Sequence, residues 1–166
     1  MKTQAERDKY RAQFENVDFR EHPEKYRVGR GEEGVLSVEP YKSEILPHWK
    51  FKTPDVAEES AQKIYQMFLD YLAVNDFVGA DMARKFLQMG YTRSRRYANH
   101  ASGKKYDGAV PKNLRGISGA HGRAELPKQI DLEKAESAER FLVYYKLAKE
   151  NLKYQQMLKE HKEKYG

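Results

Sequence analysis

The chain has no cysteine. That rules out disulfides, thiolate zinc sites and a cysteine nucleophile, and it fits a reducing cytoplasm. It has no apolar run long enough to cross a bilayer, which takes about 18 or more consecutive apolar residues, so no membrane association is expected. Its N-terminus, MKTQAERDKYRAQFENV, has no apolar h-region, so no signal peptide is expected. Catalytic signatures are equally scarce. There is no H-E-x-x-H, no G-x-S-x-G and no pair of kinase HRD and DFG motifs. No internal repeat or low-complexity tract is visible.

What is present is a polar chain of 166 residues, 39% hydrophobic and 34% charged. That length suits one domain with a real core. Twelve tyrosines argue against wholesale disorder. The positive charge is concentrated. Arg84 to Arg123 holds ten Lys or Arg and a single acid, Asp107. This segment carries +9 of a net +6, leaving −3 for the remainder. It interleaves these cations with Tyr91, Tyr97, Tyr106, His100 and many glycines, a combination suited to a polyanion-binding face.

Helix signals dominate the rest. Thr3 can cap a short polar helix over residues 3–15. Thr53-Pro54-Asp55 is a cap, a proline at N1 and an acid in the first turn. It opens a helix over 54–74 with Ala57, Ala61, Ile64, Tyr65, Phe68, Tyr71 and Leu72 on one face. Asn75-Asp76 breaks it and caps a second helix, closed by Gly90 at C′, and the two form an antiparallel hairpin. Thr92 starts a further short helix to His100. Asp131 caps a long last helix to about Lys164, its end past Leu152 projecting into solvent. Between residues 26 and 52, Val35, Leu36, Val38, Trp49 and Phe51 lie in short β-prone runs punctuated by Gly29, Gly31, Gly34, Pro40 and Pro47. They predict two or three short strands, with His48 half-buried in one of them. The expectation is an α+β fold: one mostly helical domain over 1–166 with a small N-terminal antiparallel sheet and a long C-terminal helix. Its core spans about 19–152, with residues 1–18 and 153–166 as peripheral helical extensions.

Gly29-Arg30-Gly31-Glu32-Glu33-Gly34 matches G-x-G-x-x-G, but Glu32 and Glu33 stand where a phosphate would lie and strand-like residues follow, so a tight turn is the better reading. The five histidines include no pair at metal-ligand spacing, and neither metal nor cofactor is expected. The favoured function is a non-catalytic nucleic-acid or other polyanion-binding protein. Arg93, Arg95, Arg96, Lys104, Lys105, Arg115 and Arg123 would meet phosphates, and Tyr97 and Tyr106 would stack on bases. Arg93, Arg96 and His100 share a face at i, i+3 and i+7. One alternative is a small enzyme acting on a phosphorylated substrate, with His100, Asp107 and His121 around the glycine-rich loop at 101–123. The other is a protein-interaction module built on the C-terminal helix.

The blocks YRVGRGEEGVLSVEPYKSEILPHWKFKTP, FVGADMARKFLQMGYTRSRRYANH, GKKYDG and RGISGAHGR resemble a family of small bacterial and phage-encoded proteins known only as a domain of unknown function. The resemblance spans residues 19–145, leaving the first helix and the tail outside. It implies a cytoplasmic single-domain protein and carries over no activity, cofactor or catalytic residue.

Overall fold

The computed structural model describes residues 3–100, 106–116, 119–126 and 131–166. Among these the architecture is all-helical: α1 (Gln4–Ala12), α2 (Tyr41–Ile45), α3 (Pro54–Ala73), α4 (Phe77–Asn99), α5 (Leu132–Glu150) and α6 (Leu152–Tyr165), with short 3-10 turns at Pro23–Lys25, Leu46–His48 and Lys112–Leu114. The only strand-like pairing among the described residues is an isolated antiparallel bridge between Tyr106 and Glu125.

The expected N-terminal sheet, and with it the α+β class, is therefore overturned. Backbone N–H groups between residues 30 and 37 bond within the turn: Glu33 N–H to the Arg30 carbonyl (2.9 Å), Val35 to Glu32 (3.2 Å) and Ser37 to Gly34 (3.0 Å). Gly31 and Gly34 take positive φ (53° and 82°), which turns the chain where a strand would extend it. Val35, Val38 and Tyr26 are buried, but against helices rather than across a ladder. His48 is exposed in a 3-10 turn, not half-buried in a strand.

Capping chemistry sets the helix starts. Thr3 and Glu6 form a reciprocal capping box. The Thr53 hydroxyl accepts from Val56 N–H (3.2 Å), Asp76 from Gly79 N–H (3.0 Å) and Asp131 from Lys134 N–H (3.1 Å). Asn75, at φ 58°, turns the chain between α3 and α4.

Helices α3, α4 and α5 pack mutually, and α4 is central, buried without a break from Phe77 to Leu87. Its two glycines permit the close approach. A Cβ on Gly79 would lie 2.5 Å from the Tyr71 ring, and one on Gly90 would lie 2.3 Å from the Phe141 ring. Gly90 is thus a helix-crossing point and not a C′ terminator, and α4 runs on through it to Asn99 instead of restarting at Thr92.

The long last helix is also corrected. Asn151 leaves helical geometry (ψ 124°), and its side chain accepts from Tyr154 N–H at 2.9 Å. One residue thereby ends α5 and caps α6. The tail folds back rather than projecting: Tyr154 and His161 are buried, whereas Leu132 and Leu152, at the starts of α5 and α6, are 79% and 81% exposed. A run of ring contacts joins Tyr10, Phe14, Phe19, Tyr26, Phe77, Tyr154 and Phe68. Both terminal segments are tied into one core.

Candidate functional site

Two cationic regions lie on α4, and their surroundings differ. The first is Asp81, Arg84 and Lys85, at i, i+3 and i+4 within the fully buried half of the helix. Asp81 is 0% exposed, Arg84 7% and Lys85 1%. Burial this deep demands partners. Asp81 Oδ1 accepts from Arg84 Nη2 (2.6 Å) and Nε (3.1 Å) and from the Tyr154 hydroxyl (2.6 Å), while the Tyr26 hydroxyl donates to Oδ2. Burial alone would push the Asp81 carboxyl up. The charges of Arg84 and Lys85 and the two hydroxyls outweigh it and hold the carboxyl below its ordinary value.

The loop at 29–34 closes over these cations. Arg84 Nη1 donates to the Gly31 carbonyl (2.5 Å) and Lys85 Nζ to the Glu33 carbonyl (2.8 Å). A phosphate loop presents N–H groups to an anion. Here carbonyls meet cations, the opposite polarity, so the G-x-G-x-x-G match is a cation clamp. Lys85 also sits 4.8 Å above the Tyr26 ring. Burial pushes its ammonium down to about 8, with Arg84 adding to the effect and Asp81 and Glu33 opposing it. His161 Nε2 meets the Tyr26 carbonyl at 2.6 Å, which fixes the Tyr26 backbone from α6.

The residue patterns did not join these side chains into a hub; Asp81 entered only as a carboxylate that could converge with His100 and His121, and it is instead engaged by Arg84, Tyr26 and Tyr154. A signal existed, because D-x-x-R-K lies inside the apolar stretch Phe77 to Leu87. Charges at i, i+3 and i+4 within such a stretch mark a buried ion cluster.

The second region is the end of α4. Arg93 and Arg96 are exposed and Arg95 is half-exposed. Among the described residues none of the three enters an ion pair. Thr92, alongside them, donates to the Glu32 carboxylate (3.0 Å). Tyr97 is half-buried and packs on Phe51 at 5.8 Å. His100 does not join the arginine face. Its side chain is buried, with Nδ1 lacking a hydrogen-bond partner among the described residues.

The loop residues part company as well. Arg115 is exposed, and its carbonyl accepts from Arg11 Nη2 at 3.0 Å, which ties the turn to α1. Arg123 is a stitch: its guanidinium donates to the carbonyls of Ala120, Gly119 and Gly108 and lies 5.1 Å over the Tyr106 ring. One face of Tyr106 is therefore covered. Lys104 and Lys105 lie outside the described residues. Asp107 is exposed, its backbone N–H bonded to the Ala124 carbonyl, and His121 is half-buried in a turn at φ 49°. Neither the cavity at Lys85 nor the open cleft between the α3–α4 turn and α6 is lined by His100, Asp107 or His121. Among the described residues no group of three His, Asp or Glu is placed to hold a metal, and no helix is long and apolar enough to cross a membrane.

The fold and hub define a helical domain organised around a buried ion cluster. The chain belongs to the domain of unknown function DUF4385, whose family profile matches residues 9–164. That match takes in the last turn of α1 and nearly all of α6, beyond the 19–145 span of the resemblance read from the sequence blocks. No curated protein and no solved structure matches the chain.

Proposed function

We propose that the protein is a non-catalytic binder of nucleic acid or a similar polyanion, using the end of α4 and the adjoining loop. One observation carries this reading. Arg84 and Lys85, early on α4, are buried and held by Asp81 and by loop carbonyls, whereas Arg93, Arg95 and Arg96, two to three turns further on, stand toward solvent with no ion pair among the described residues. Unpaired arginines on one helix end suit phosphate oxygens. Arg123 holds the loop backbone, and Lys104, Lys105 and Arg115 add charge by sequence. Tyr97, half-exposed beside Arg96, is the better stacking residue, since Tyr106 has one face under Arg123. A cytoplasmic location and a bacterial or phage origin belong to the same reading and rest on the resemblance alone. For the protein-interaction alternative, the surface would be the exposed pair Val143 and Leu147 on α5.

The test is a salt-resolved titration with single- and double-stranded DNA and RNA. Affinity should fall with a log–log slope of about −0.7 to −0.9 per phosphate contact, and changing Arg93, Arg95 and Arg96 together to Ala should flatten it. An unchanged slope in the triple variant, or no binding at low salt, overturns the reading.

A further inference from the structure

The buried hub is short of negative charge. Asp81 is one carboxylate facing two cations, Arg84 and Lys85, all three at least nine-tenths buried. Arg84 takes the close contact to Asp81. Lys85 Nζ stands 3.9 Å from Asp81 Oδ2, beyond a hydrogen bond, and spends one N–H on the Glu33 carbonyl. Its remaining donors have no acceptor at hydrogen-bond distance among the described residues, and unmade bonds of a buried ammonium are costly.

Beside Lys85 lies a cavity of about 140 Å³ between α1, the 25–38 loop and α4. Phe14, Tyr26 and Val38 give it apolar wall, and Lys25 and Arg27 are exposed residues of its lining. Glu33, the single acid among the lining residues, is engaged by the Tyr10 hydroxyl, which burial and that carboxylate push up to about 12. An apolar cavity of about 150 Å³ holds a benzene-sized guest.

We propose that this cavity is a binding site for a small monocarboxylate, whose carboxylate pairs with the Lys85 ammonium while its apolar body lies against Phe14, Tyr26 and Val38. The ligand supplies the negative charge the hub lacks, and Lys25 and Arg27 draw it in. The site is independent of the arginines at the end of α4.

The groups facing Lys85 are Asp81 and Arg84 from its own helix, Tyr26 and Glu33 from the loop, and, through Asp81, Tyr154 from α6. Tyr10, Lys25 and Arg27 border the cavity. With its ammonium near 8, Lys85 loses its charge above that pH. Carboxylate affinity should therefore fall about tenfold per pH unit above the Lys85 value.

The experiment is calorimetric and thermal-shift titration of the full chain with butyrate and benzoate, against butyramide and benzamide as neutral isosteres and chloride as a salt control. The carboxylates should bind at pH 7 and the amides should not. Lys25→Gln with Arg27→Gln should weaken binding less than threefold, and Lys85→Met should abolish it. Because Lys85→Met removes a buried group and can unfold the protein, the wild-type pH series is the second measurement. A drop of at least tenfold between pH 7 and pH 9.5 supports the site. Equal binding of acid and amide, affinity unchanged to pH 9.5, or no carboxylate binding at tens of millimolar would overturn it.

Discussion

The Tyr154 hydroxyl donates to Asp81 Oδ1 at 2.6 Å across 73 residues of sequence, and this bond fastens α6 to the centre of α4. Tyr154→Phe keeps the ring stacked on Phe77 and removes only the donor. A hydrogen bond to a charged group contributes about 1.5–3 kcal/mol, so urea unfolding should show a loss in that range. A loss under about 0.5 kcal/mol would mean that Tyr26 and Arg84 satisfy Asp81 without α6.

Asp81→Asn should be more severe. It leaves two cations buried without their counter-charge, and breaking such a cluster costs about 3–5 kcal/mol. The same denaturation measurement checks it, with Lys85→Met in the Asp81→Asn background recovering part of the loss. No recovery would show that the cost is packing rather than charge.

Gly90→Ala separates two meanings of one glycine. In an open helix interior the change would stabilise by about 1 kcal/mol. Here the new Cβ falls 2.3 Å from the buried Phe141 ring, which cannot swing away, so a loss of about 1–3 kcal/mol is expected. A rise in melting temperature would refute the α4–α5 crossing described here.

The pH profile should have an alkaline maximum. Lys85 is held near 8 in the fold against an ordinary 10.5. Between those values the unfolded chain binds more protons, so stability rises with pH by at most about 1.4 kcal/mol per unit. Burial and the neighbouring Asp81 raise the Tyr26 and Tyr154 hydroxyls. Above about 10 the unfolded chain gives up those protons first, and stability falls. On the acid side, burial depresses His161, against the pull of the Tyr26 carbonyl and Asp81, so stability should decline as pH drops below about 6.5. Urea midpoints at pH 5.5, 7.5, 9.5 and 11 check the shape, and a steady decrease from 7.5 to 9.5 would contradict the assignment of Lys85.

How far the pattern of residues reached is clear from individual elements. Thr53-Pro54-Asp55 and the stripe Ala57 to Leu72 define α3 locally, because cap and periodicity lie within one segment. Val35 and Val38, read as strand residues, are core residues of a looped segment. Burial depends on hydrophobicity, whereas a strand needs a partner edge, which single-segment patterning does not report. Gly90 read as a terminator because a glycine's purpose depends on what approaches it, and Phe141 lies 51 positions away.

The sequence alone determined the caps at Thr3, Thr53, Asp76 and Asp131, the apolar faces of α3 and of early α4, and the concentration of positive charge between Arg84 and Arg123. These follow from neighbours within a few turns. Only the tertiary structure decided which cations are available. Arg84 and Lys85 are consumed by Asp81 and by the Gly31 and Glu33 carbonyls, and Arg123 by its own loop. Arg93, Arg95 and Arg96 remain toward solvent. The physical reason is that desolvation depends on which elements pack over a side chain. On α4 that covering comes from a loop about 50 residues earlier and a helix about 70 residues later.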